Sequence, residues 1–82
     1  LFEFPCDFPI KIMGQATDEF RSLALGIVTR HFGPLVEGTI EERPSRGGRY
    51  LGLTITVRAE SKAQLDALYL ELTSCRQVLV AL

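Results

Sequence analysis

Between Tyr50 and Ala59 every second residue is apolar: Leu51, Leu53, Ile55, Val57 and Ala59 alternate with Gly52, Thr54, Thr56 and Arg58. A period of two places the apolar set on one face of a β-strand. The β-branched content suits a pleated surface, and the absence of proline suits an interior strand with both edges paired. The rest of the chain reads as cover for that apolar face or as partners for its edges.

Upstream, Leu1 to Pro9 holds two prolines and three phenylalanines. The spacing predicts an extended N-terminal arm over residues 1–7 and a strand over Phe8–Met13, ended by Gly14. In that strand Phe8, Ile10 and Ile12 point one way, Lys11 and Met13 the other. Thr17 is placed to cap a helix whose first turn carries Asp18 and Glu19, where the helix dipole favours anions. Phe20, Leu23, Ala24, Ile27 and His31 mark its buried face, and Gly33-Pro34 stops it.

Leu35 to Arg43 alternates again, with Val36, Gly38 and Ile40 against Glu37, Thr39, Glu41 and Arg43, which predicts an exposed edge strand. Pro44 to Gly48 is turn chemistry and joins this strand to the next as an antiparallel hairpin. Ser61 and Gln64 form a capping box for a second helix with Leu65, Leu68, Tyr69 and Leu72 on its buried stripe. Val78 to Leu82 closes the chain as a strand.

The order strand, helix, strand, strand, helix, strand, with right-handed crossovers, specifies an α+β fold of the ferredoxin-like, split βαβ kind over residues 1–82 as a single domain. Its four-stranded antiparallel or mixed sheet has two helices on one face and the spatial order fourth, first, third, second. The other face stays open. By alternation it carries Lys11, Met13, Glu37, Thr39, Glu41, Arg43, Tyr50, Thr54, Thr56 and Arg58, with Leu79 and Ala81 beside them.

Chemistry is sparse. With 82 residues there is little room for a buried catalytic cavity. Cys6, in a proline-flanked and exposed segment, and Cys75, a small apolar residue near a helix end, sit nearly the full chain apart, and with one histidine no zinc spacing exists. His31 reads as a helix-end residue, and Glu41 and Glu42 point to opposite faces, so neither supports an enzyme. No cofactor is implied. A net charge of −1, with Tyr50 as the lone ring on the open face of the central strands, argues against nucleic acid. The Arg46 and Arg49 pair in the hairpin reads as solubility or a local anion contact. The apolar runs are too short to span a bilayer and no leader pattern opens the sequence, which points to the cytoplasm.

Two binding readings follow. Met13 and Tyr50 on a bare sheet, with Lys11, Thr54 and Arg58 around them, fit a partner surface for another protein or a second copy. Alternatively, the turn Gly14, Gln15, Ala16 and Thr17 combines a glycine with a helix N-terminus and fits a small-ligand sensor for an amino acid or carboxylate. Domains of the ACT type, which share the element order, bind small carboxylates near the corresponding turn; this is an analogy of fold.

The segments LFEFPCDFPIKIMGQA, SRGGRYLGLTITVRAES and QLDALYLEL, with their spacing, resemble the YbeD-like family of small bacterial proteins of unknown function over essentially the whole chain. The resemblance implies a ferredoxin-like fold related to ACT-type regulatory domains, a stand-alone cytosolic protein and no assigned enzyme activity. It brings no catalytic residues. It marks Glu3, Phe4, Pro5, Lys11, Met13, Gly14, Gln15, Gly48, Tyr50, Leu68, Tyr69 and Glu71 as candidates for a shared surface or fold requirement. Of these, Lys11, Gln15 and Tyr50 are the least easily explained by packing.

Overall fold

The computed structural model of the protein describes residues 3–36 and 38–82. Its elements are β1 (Cys6–Gln15), α1 (Asp18–Phe32), β2 (Ile40–Pro44), β3 (Tyr50–Ala59), α2 (Lys62–Ser74) and β4 (Val80–Ala81). They form one four-stranded sheet in the order β2-β3-β1-β4, with every neighbouring pair antiparallel. This is the ferredoxin-like arrangement expected from the order of elements.

The centre of the sheet is the long β1–β3 ladder, which runs without a break from Cys6 opposite Ala59 to Gln15 opposite Tyr50. Its helix-facing side supplies Ile10, Ile12, Leu51, Leu53, Ile55, Val57 and Ala59, all buried. Phe20, Ala24, Ile27 and Val28 of α1 and Leu65, Leu68 and Leu72 of α2 close over them. Among the described residues no polar or charged residue is buried, so an apolar layer between sheet and helices holds the fold.

Local chemistry starts and stops the helices. The Thr17 hydroxyl accepts the Phe20 N–H at 3.0 Å at the head of α1. Gly33 ends α1 with φ at +81°, and its N–H donates to the Thr29 carbonyl. At α2 the Ser61 hydroxyl accepts the Gln64 N–H, and the Gln64 side-chain carbonyl accepts the N–H of Glu60, one residue earlier than a standard capping box. The Gln64 amide group then donates to the His31 carbonyl, joining the head of α2 to the tail of α1.

Several boundaries and faces differ from expectation. β1 starts at Cys6 and runs through Gly14 to Gln15, so Cys6 and Asp7 of the expected arm are strand residues; Leu1 and Phe2 lie outside the described residues. Cys6 is half-buried on the helix-facing side opposite Ala59. β2 begins only at Ile40, because Gly38 takes φ +90° and the N–H and hydroxyl of Thr39 both donate to the Val36 carbonyl, closing a turn where a strand was expected. Glu37 lies outside the described residues.

β4 is reduced to Val80–Ala81, and its register places Ala81 opposite buried Ile12 and Val80 opposite Met13. Ala81 therefore packs against the core, and Val80 and Leu82, rather than Leu79 and Ala81, lie on the open face. One residue of register exchanges the two faces of a strand. On α1 the buried stripe turns toward Val28, which is fully buried, while Leu23 is only half-buried.

Candidate functional site

The open face is built in cross-strand rows, because paired residues of antiparallel strands share a face. Tyr50 stands beside Gln15. The next row reads Arg43, Gly52, Met13, Val80, and the one after it Glu41, Thr54, Lys11. Leu82 extends the second of these, since Lys11 and Leu82 exchange both backbone hydrogen bonds, at 3.1 and 2.8 Å. Further along, Arg58 opposes Asp7 and their side chains meet at 3.3 Å.

With the β2–β3 hairpin rising at one end, these rows enclose an open trough of about 890 Å³. Ser45 anchors the hairpin: its N–H donates to the Tyr50 carbonyl and its hydroxyl accepts the Tyr50 N–H at 3.0 Å. Lys11, Met13, Tyr50 and Thr54 all line the trough. Arg58 shares the face but lies outside the trough and is occupied by Asp7. Gln15, Lys11 and Tyr50, the three residues that packing explained least, are exposed on this one surface.

Four neighbours here are apolar and exposed: Met13 at 43%, Val80 at 42%, Leu82 at 70% and Tyr50 at 36%. Gly52 lies between them, and Glu41, Glu42, Arg43 and Arg46 add charge to the lining. Val80 and Leu82 escaped sequence reasoning because nothing in Val78 to Leu82 fixes the register of so short a strand. Gly52 carried a legible signal, as the one gap in an otherwise fully furnished alternation.

The Gly14–Thr17 turn is engaged in the fold itself. A Cβ on Gly14 would stand 2.4 Å from the Phe20 ring and 2.6 Å from the Gln77 carbonyl oxygen, so tight packing of α1 and of the α2–β4 connection requires this glycine. The Ala16 N–H donates to the Arg49 carbonyl, the Thr17 N–H to that of Gln15, and the Thr17 hydroxyl caps the helix. Beyond the turn stand the exposed carboxylates of Asp18 and Glu19, which repel an incoming anion.

Elsewhere Glu71 accepts from His31 Nε2 at 2.8 Å and from Arg30, bridging the two helices on the opposite side of the molecule. Among the described residues no cluster of His, Cys, Asp and Glu could hold a metal ion, and no helix is long and apolar enough to cross a membrane.

Fold and site together define a small ferredoxin-like domain whose chemically distinctive surface is an exposed sheet. The chain belongs to the family described as "Protein of unknown function (DUF493)", whose model matches residues 1–82. A UPF0250 protein of Paraburkholderia phytofirmans is 50% identical over 82 residues, covering all of this chain and 92% of the relative. One from Janthinobacterium sp. (strain Marseille) is 53% identical over 74 residues, 90% of this chain and 81% of its own. Another, from Ralstonia nicotianae, is 49% identical across the whole chain and 84% of the relative.

Proposed function

We propose that this domain is a non-enzymatic regulatory or adaptor module that takes a protein partner across its open sheet face. The observation that carries the reading is the apolar group of Met13, Tyr50, Val80 and Leu82, side by side and exposed above a sheet that the described chain leaves uncovered on that side. Contiguous apolar surface of this kind, rimmed by polar and charged groups, is costly in water and marks a contact surface. The residues that support it project away from the core, so the face is free to bind without disturbing the fold.

The test replaces Met13 and Tyr50 together by glutamate. Because both are exposed, the double variant is expected to keep the circular dichroism spectrum and to lose less than about 1 kcal/mol of stability. Used as bait in a lysate of a bacterium that carries the protein, the unaltered domain is expected to retain a partner that the variant releases. Retention of the same proteins by both baits would remove the proposal.

A further inference from the structure

Gly52 lies in the middle of β3, the best-furnished strand of the molecule. Its φ is not positive, and a Cβ added there would meet only the Arg43 carbonyl oxygen, at 3.5 Å, an ordinary contact. Neither backbone conformation nor packing within the chain calls for glycine. A glycine inside a strand weakens it, and one that the fold does not need marks a place where another group comes close to the backbone. Tyr50 and Thr54 precede and follow it on the same face, and Arg43 and Met13 stand across from it on either side. The absent side chain thus leaves a notch in the floor of the trough.

The charge around this notch is also unbalanced. Lys11, Arg43 and Arg46 line the trough against two carboxylates, Glu41 and Glu42, and Glu42 is already held by Arg21 at 2.8 Å, on a chain of net charge −1. Of the six other lysines and arginines, four find acids: Arg21 meets Asp18 and Glu42, Arg30 meets Glu71, Arg58 meets Asp7 and Lys62 meets Asp66. Among the described residues the three trough cations have no such partner.

Resting on the reading of the open face as a partner surface, we infer that the trough binds an acidic polypeptide segment. One apolar side chain of that segment sits in the Gly52 notch, between Tyr50 and Met13, and its carboxylates meet Lys11, Arg43 and Arg46. Charge complementarity selects this occupant. A second copy docked symmetrically would set the same three cations against themselves. Nucleic acid would find one ring to stack on and Glu41 in the path of its phosphates.

The experiment pans a phage library of short random peptides against the protein, with counter-selection on Gly52→Leu, a variant that fills the notch and whose Cβ the fold accommodates. Enriched peptides are expected to be net negative with a recurrent apolar residue. Their affinity should fall about tenfold or more on Gly52→Leu, as burial of one such side chain implies. It should fall again on Lys11→Glu with Arg43→Glu and Arg46→Glu, and with added salt. No enrichment, enrichment of neutral or basic peptides, or equal binding by Gly52→Leu would each overturn the inference. So would tighter binding of a labelled oligouridylate that the charge reversals abolish. A lysate partner lost with the Met13 and Tyr50 double variant but kept by Gly52→Leu and the charge reversals would sink this inference alone and leave the docking face standing.

Discussion

Two glycines one register step apart in adjacent strands, on opposite faces of the sheet, carry opposite energetic signs. At Gly14 a methyl group has no room, since the Phe20 ring and the Gln77 carbonyl already occupy the space. Gly14→Ala is therefore expected to cost about 2–3 kcal/mol, as overpacking of a close-fitted core does. At Gly52 only the Arg43 carbonyl lies near, so Gly52→Ala is expected to be neutral or to stabilise by about 0.5–1 kcal/mol through lower chain entropy. Urea unfolding of the two variants checks both, and a large loss at Gly52 would contradict the open notch. Tyr69 gives a second test at this scale. Its hydroxyl donates to the Leu82 carbonyl at 2.6 Å, its ring meets Phe8 edge-on, and burial raises its pKa above the ordinary 10.0. The fold thus favours the neutral phenol: its contribution is complete below pH 10 and is lost as pH rises through the raised value. Tyr69→Phe is expected to cost about 1 kcal/mol at neutral pH and to remove that share of the alkaline loss, as chemical unfolding between pH 8 and 11 would read.

The helices and strands were legible to different degrees, for reasons each element makes plain. The alternation in β3 and the Thr17 and Gly33-Pro34 signals around α1 are local and strong, and the elements follow them. β2 and β4 are edge strands, and their limits depend on backbone events that composition does not encode: a turn closed by Thr39 in one case, a two-residue pairing with β1 in the other. The site inherits that division. Lys11, Met13, Tyr50 and Thr54 were readable because they sit on well-specified strands, whereas Val80 and Leu82 depended on a register set only by contact with Met13 and Lys11. Between the helices, Glu71 on α2 holds Arg30 and His31 of α1, a cross-helix contact that one-dimensional spacing does not reveal. Its side chain is only 34% exposed, so its pairs are screened less than most surface ion pairs. Glu71→Gln is expected to lower stability by about 1 kcal/mol in dilute buffer and by less in molar salt. Equal losses at both ionic strengths would show that hydrogen bonding, not charge, holds the two helices there.

Across the whole molecule, stability is expected to be graded outward from the β1–β3 ladder, and β1 itself offers the means to see it. Lys11 exchanges both of its backbone hydrogen bonds with Leu82, on the β4 side, so the backbone groups of Ile12 turn the other way, toward Leu53 on β3. The Ile12 amide is thus locked in a ladder with helices over one face and further strands on either side. The Lys11 amide depends on β4, which pairs through two residues. Edge pairings of that length open locally without unfolding the core. Hydrogen exchange along β1 is therefore expected to alternate, with Ile10 and Ile12 exchanging only through global unfolding and Lys11 exchanging faster by at least about tenfold, a separation of about 1.4 kcal/mol. Equal protection at Lys11 and Ile12 would mean that β4 belongs to the same cooperative unit as the centre. The gradient bears on function as well, because Val80 and Leu82 form one wall of the trough. A partner lying against that wall must hold β4 in place, so binding should slow exchange at Lys11 while leaving Ile12 unchanged.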